Sequence, residues 1–276
     1  MAFRLREVLL VSSLYDSFIL QEDGQVTEPI LSEFIDLDIR YAPRMTRVST
    51  GQDALETLAS DRPFDLVIVT TQLGNISPVQ FAEEVKNRYL IPVVLLGYDG
   101  RALEKLLAAH PDHQFDHVFV WNGDAKVFMA IIKLVEDRLN VLPDTENVGV
   151  QVILLIEDSI HFLSVFLPIL YTELFLQQKR VVAEGINLPH KILRTRARPK
   201  VLHAADFENA WKLLQKHGDH LLGVISDIRF PREVKLDPDA GFLFLEKARE
   251  SRPVLPFLLQ SSGLANQERA EKAGAA

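Results

Sequence analysis

The sequence predicts an α/β protein of two doubly wound parallel-sheet domains, the second carrying a helical insertion. Three observations lead there. Short apolar, β-prone runs of the kind a buried parallel strand shows alternate with segments of helical spacing over residues 7–139. Past residue 150 the alternation restarts: EVLLVSS returns as VILLIED, DLVIVTTQL as LGVISDIRF, and PVVLLGY as PFLLQSS. A self-similarity whose offset grows along the chain is the mark of a duplication with insertions in the second copy. The length, 276 residues, also makes two domains the default.

The elements follow in order. EVLLVSS (7–13) is a buried first strand, followed by a turn signal at Asp23–Gly24. ILSEFIDLDI (30–39) has helical spacing, PRMTRVST (43–50) reads as a strand, and GQDALETLAS (51–60) as a short amphipathic helix. FDLVIVTTQL (64–73) is the third strand, and PVQFAEEVKNRY (78–89) a helix with Pro78 in its first turn. IPVVLLGY (91–98), RALEKLLAAH (101–110), DHVFVW (116–121) and DAKVFMAIIKLVEDRL (124–139) complete a strand–helix–strand–helix series. VLPDTENVGV (141–150), with Pro143 and Gly149, reads as a linker between domains 1–141 and 150–276. In the second copy, VILLIEDS (152–159), PKVLHAAD (199–206), LLGVISDIRFP (221–231) and PFLLQSS (256–262) are the strand runs. Residues 162–198 are extra. They predict a long first helix broken near Pro168, a turn at Gly185 and Pro189, and a second helical piece toward KILRTRAR. A smaller insertion, 232–241, lengthens the loop after Asp227.

Composition narrows the function classes. Net charge of −8 disfavours nonspecific nucleic-acid binding. The absence of Cys excludes disulfides, thiol catalysis and Cys-based zinc sites, and fits a cytoplasmic protein. No signal-peptide pattern opens the chain, and the longest apolar tract, 162–176, reads as too short for a membrane span. His110, His113 and His117 lie close together without a carboxylate at metal-ligand spacing. Arg194, Arg196, Arg198 and Lys200 read as a solvated helix end.

The chemistry sits at strand ends. Three apolar strands end in an acid pair, Glu157–Asp158, in an acid, Asp227, and in a hydroxyl, Ser261. Open α/β sheets place their sites at carboxyl strand ends. Carboxylates converging there repel by about 4 kcal/mol per pair at ~4 Å and an effective dielectric of ~20. A hard divalent cation relieves that repulsion. The pattern resembles the receiver domain of two-component response regulators. The resemblance implies a flavodoxin-like fold and Mg²⁺ held by Glu157, Asp158, Asp227 and the backbone carbonyl of Arg229. It further implies a phosphoryl group accepted on Asp227 from a histidine kinase or phosphotransfer protein, and a phosphate contact from Ser261. A receiver also has a fifth strand ending in Lys and a fifth helix. The second domain is read as lacking both, since Lys272 falls too early.

In the first copy Ser12, Ser13, Thr70 and Gly97 stand where the second has Glu157, Asp158, Asp227 and Ser261, and Trp121 stands at the lysine position. That copy reads as a pseudo-receiver scaffold; the rival is a ligand pocket using Ser12, Ser13, Thr70 and Thr71. SLYDSFILQEDG, FVWNGDAK, ILLIEDS, LYTELF, RTRARPK and GVISDIRFPRE together resemble the amino-terminal region of bacterial proteins with a carboxyl-terminal PEP/pyruvate-binding domain, related to phosphoenolpyruvate synthase. The expected function is a regulatory receiver module, not an enzyme. The alternatives are a structural dimerisation module without phosphorylation and a Mg²⁺-dependent phosphohydrolase. Against the hydrolase, such enzymes carry a second Asp two residues after the nucleophile, where this chain has Arg229. The apolar face of the insertion (Phe162, Phe166, Leu167, Leu170, Leu174, Phe175) implies a homodimer, or else packing on the first domain.

Overall fold

The computed structural model of the chain describes residues 3–13, 27–37, 39, 41–60, 62–74, 76–183, 198–261 and 266–276, with the side chains of 27–30 and 181–183 left aside. The expected turns at Asp23–Gly24 and at Gly185 and Pro189, the helical piece toward KILRTRAR, and Arg194 and Arg196 lie outside the described residues. The described residues form two compact units. The first is Arg4–Val135 with Ser164–Thr172; the second is Phe3, Glu136–Leu163 and Glu173–Ala276.

In the first unit the order is β1 (Glu7–Val11), α1 (Thr27–Asp36), β2 (Arg44–Val48), α2 (Gly51–Leu58), β3 (Leu66–Thr70), α3 (Pro78–Tyr89), β4 (Val93–Gly97), α4 (Gly100–Ala109), β5 (His117–Val120) and the start of α5 (Lys126–Val148). The five strands pair in parallel as β2-β1-β3-β4-β5, the doubly wound order with its reversal between β1 and β3. β3 and β4 are buried along their whole length, which is why they read as continuous apolar runs. Local signals set the helix starts: Thr50 accepts from the Asp53 N–H, and Ser77 and Gln80 form a capping box ahead of Pro78.

The second unit continues with β6 (Val152–Ile156), α6 (Ile160–Ala183), β7 (Lys200–Ala204), α7 (Phe207–His217), β8 (Leu221–Asp227), β9 (Phe230–Arg232), β10 (Lys235–Asp237), α8 (Ala240–Ser251), β11 (Phe257–Gln260) and α9 (Gln267–Lys272). Its parallel sheet is ordered β7-β6-β8-β11. Four strands thus repeat the first four of the other sheet. On the free side of β11, Ala276 donates its N–H to the Phe257 carbonyl and accepts from the Leu259 N–H, both at 3.0 Å. The core between sheet and helices is aromatic: Phe244 meets Phe207 and Trp211 edge-on and lies against Phe257.

Four local expectations are corrected. The linker at 141–150 is mostly helix, because α5 runs through Pro143 to Val148. Two of its polar residues, Asp144 and Thr145, are buried rather than solvent signals. Asn140 donates to the Phe3 carbonyl and accepts from the Phe3 N–H, and Thr145 donates to the Val141 carbonyl. α6 is likewise unbroken at Pro168, whose carbonyl accepts from the Thr172 hydroxyl at 2.8 Å. Its middle, Ser164–Thr172, belongs to the first unit, the arrangement placed second to self-association on sequence alone. There Leu167 and Tyr171 are fully buried, and Ser164 Oγ accepts from the Val120 N–H at 2.8 Å. The helix is also longer than its apolar core implied: Ile160–Arg180 is long and apolar enough to cross a membrane by length and composition. Last, 230–237 is a β-hairpin, not a plain loop. Glu233 and Val234 both take positive φ, 51° and 68°, as a two-residue hairpin turn requires.

The basic residues beside β7 are not solvated. Arg198 and Lys200 are buried, and Asp137 of α5, fully buried, accepts two Arg198 hydrogen bonds (2.5 and 3.0 Å) and the Val201 N–H (2.9 Å). Lys200 Nζ lies 2.7 Å from Asp144 and 3.6 Å from Asp137. Removing one partner of a buried ion network leaves the others uncompensated. Asp137→Ala is therefore expected to lower unfolding free energy by about 3–5 kcal/mol in urea titration. A loss under about 1 kcal/mol would show the network to be idle.

Candidate functional site

Parallel pairing of β6 with β8 sets Ile156 against Ser226. One residue on, where both strands end, Glu157 and Asp227 come side by side, with Asp158 next in the chain. Ligand oxygens of these three carboxylates lie within 4.8 Å of one another, and among the described residues this is the one such group of three or more His, Asp or Glu.

The backbone holds the cluster in place. The Ser159 N–H donates to Glu157 Oε1 at 3.0 Å, and the Ile228 N–H to Asp227 Oδ1 at 2.7 Å. The Glu157 N–H donates to the Ala204 carbonyl, and the His203 ring lies with Nε2 2.8 Å from the Glu157 carbonyl. Burial holds His203 below its ordinary pKa and so neutral. Beneath the loop, Gly241 approaches so closely that a Cβ there would lie 2.5 Å from the Asp227 carbonyl oxygen. Only glycine lets α8 start at that spot.

The three acids resist ionisation together. Burial, then the charges of Asp227 and Asp158, push Glu157 up to about 7. Burial, then the charge of Asp227, push Asp158 up to about 6, while Arg229 opposes. Burial also raises Asp227, against the N–H groups of Ile228 and Arg229 and the Arg229 charge. A convergent set of hard oxygen donors, with neither thiolate nor imidazole among them, suits Mg²⁺.

The sequence-derived residues are thus brought together in part. Glu157, Asp158 and Asp227 form the cluster. Ser261 follows Gln260, the register partner of Asp227, and so stands at the carboxyl end of the neighbouring strand; its Oγ accepts from Asn266 at 2.8 Å. Arg229 lies two residues past Asp227. His203, Gly241 and the Arg229 side chain were not singled out as site residues by sequence. Their roles depend on the fold, and His203 and Gly241 carry no spacing signal; Arg229 could have been noticed as a cation next to three acids.

The first sheet repeats the geometry without the charges. Val11 pairs with Val69 and Thr70 with Leu96, so Ser12, Thr70 and Gly97 occupy the registers of Glu157, Asp227 and Ser261. Ser12 and Thr70 are fully buried, and Thr70 Oγ1 donates to the Val11 carbonyl at 3.3 Å. A Cβ on Gly97 would lie 2.7 Å from the buried Leu103 side chain, which fills the space a side chain there would need. Trp121, past the end of β5, packs on Phe128.

No family model matches the sequence, and no curated protein does. Among solved structures the chain is similar to the signal receiver domain of an HD domain-containing protein from Pseudomonas fluorescens Pf-5, at 20% identity over 52% of this chain and 96% of that one, TM-score 0.40. It is similar to a response regulator receiver domain protein from Clostridium thermocellum at 17% identity, over 50% of this chain and 99% of that one, TM-score 0.38. A two-component system response regulator/GGDEF domain protein aligns at 16% identity over 98% of this chain and 89% of that one, TM-score 0.39. The fold itself, parallel-sheet α/β, is read from the strand order and register above.

The raised carboxyl groups fix a sign for pH. A carboxyl whose folded pKa exceeds its unfolded value binds its proton more tightly when folded. It stabilises fully below the unfolded pKa, and that contribution is lost as pH rises through the folded one. For Glu157 the window is 4.5 to about 7. In chelator, the melting temperature is expected to fall as pH rises through that window, and Asp227→Asn to melt higher than wild type at pH above it. A wild type that gains stability through the same window would contradict the electrostatics described.

Proposed function

We propose that this chain is a signalling receiver module whose second unit accepts a phosphoryl group on Asp227, with the first unit a pseudo-receiver scaffold. The observation that supports this best is the convergence of Glu157, Asp158 and Asp227 at the carboxyl edge of one sheet, beside Ser261. The first unit has no carboxylate at the matching registers.

In this reading the Ile228 N–H holds Asp227 Oδ1 and so orients the carboxylate toward the donor. A carboxylate oxygen of Asp227 bonds to phosphorus as the P–N bond of a phosphohistidine breaks, and the electron pair returns to the imidazole nitrogen. With acetyl phosphate the P–O bond breaks instead and acetate leaves. Mg²⁺, held by Glu157, Asp158, Asp227 and the Arg229 carbonyl, supplies charge neutralisation on the transferring group when bound. Ser261 Oγ donates to a phosphoryl oxygen. The donor is a histidine kinase or phosphotransfer protein, the setting cytoplasmic, and the output an attached PEP/pyruvate-binding domain. That last element is carried by the sequence resemblance alone.

Incubation with acetyl phosphate and Mg²⁺, followed by peptide mass spectrometry, tests the reading. A single phosphoryl adduct on the peptide containing Asp227 is expected, absent in Asp227→Asn and after chelation. An unmodified wild type would favour the structural dimerisation module. An adduct of equal yield in Asp227→Asn would remove the acceptor assignment.

A further inference from the structure

We infer that His203 is a positioning residue for the acid pair: its ring N–H holds the peptide that joins Glu157 to Asp158, and so sets both carboxylates for a divalent cation. This rests on the metal-site part of the reading above. β6 stops at Ile156, whose register partner on β7 is Ala204. One residue on, the Glu157 N–H donates to the Ala204 carbonyl at 3.0 Å and so prolongs the ladder. The Glu157 carbonyl takes a hydrogen bond from a side chain: His203 Nε2 lies 2.8 Å away. A carbonyl only accepts, so Nε2 carries the proton. The Glu157 carboxylate in turn accepts from the Ser159 N–H at 3.0 Å. The peptide between the two acids is thus held at its oxygen by His203, and the first acid is held by the residue that follows the pair.

The ladder itself does not ask for an imidazole at this register. In the first sheet Val11 pairs with Val48, and the Ser12 N–H donates to the Val48 carbonyl at 3.0 Å, the same arrangement. Arg47 stands there opposite Leu10, as His203 stands opposite Leu155. That strand end carries no acid. In the second sheet the carboxylates repel, and rotation of the peptide after Glu157 is the motion that would carry Asp158 away from its neighbours. A donor on the carbonyl opposes that rotation. Outer partners that orient a ligand in this way change metal affinity by about 10–100-fold.

The test uses the full chain as wild type, His203→Gln and His203→Leu. Gln offers an N–H on a flexible stem, and Leu fills the space without one. Mg²⁺ affinity is measured by calorimetry, and stability in chelator by urea titration. His203→Leu is expected to bind Mg²⁺ about tenfold more weakly, the low end of that range, and His203→Gln to recover most of the loss. A residue that only packs would move the urea midpoint and leave the affinity of the folded protein alone. Equal affinity in all three proteins therefore overturns the proposal while the metal reading stands. Equal losses in both variants overturn it as well, since donation would then not be what matters. One readout needs no variant. Nitrogen-15 NMR of the wild-type imidazole in chelator should show the His203 proton on Nε2; a proton on Nδ1 alone overturns the proposal even where neither variant folds. If wild type binds no Mg²⁺, the metal reading fails and takes this proposal with it.

Discussion

Mutual repulsion among three carboxylates, forced onto one end of two adjacent parallel strands, is the constraint around which the second unit is built. It follows from register. Because Ile156 stands against Ser226, Glu157 and Asp227 are neighbours whatever their side chains prefer. A slip of one residue would send one of them to the opposite face of the sheet. Burial sharpens the conflict, since it disfavours the charged form of each acid. The surroundings answer with donors: N–H groups on Glu157 and Asp227, a neutral His203 against the Glu157 carbonyl, and Arg229 outside. Burial and the neighbouring acids still leave Glu157 and Asp158 raised, to about 7 and about 6. What remains is a carboxylate cluster whose mutual repulsion the surroundings offset only in part.

The first unit shows what the same backbone does without that conflict. Its β1–β3–β4 registers are those of β6–β8–β11, yet hydroxyls and a glycine stand in place of acids and serine. Ser12 and Thr70 are sealed from solvent and Leu103 occupies the space beside Gly97. The unit's middle strands are dry and its edge receives part of α6 through Ser164 and Tyr171.

Much of this was legible in the sequence, for definite reasons. Strands buried on both faces write themselves as apolar runs, so VILLI and LVIVT announced themselves, and an acid directly after such a run is hard to hide. The acid pair and Asp227 were therefore readable before their geometry was known. What misled was polarity used internally. Asp144 and Thr145 look like linker residues but face Lys200 and the helix's own carbonyls. Arg198 and Lys200 look like a solvated end but neutralise Asp137 and Asp144. Pro168 sits inside a helix that tertiary contacts keep continuous. The hairpin at 230–237 turns on Glu233 and Val234, residues with no preference for positive φ, so no turn signal was there to read.

Paramagnetic broadening by Mn²⁺, which accepts the same oxygen donors as Mg²⁺, tests most directly whether charge convergence has made a cation site in one unit only. Amide resonances of Glu157, Asp158 and Asp227 to Arg229 should broaden at the lowest Mn²⁺ additions, and those of Ser12, Thr70 and Gly97 should stay sharp. Equal broadening at both strand ends, or none at Asp227, would contradict it.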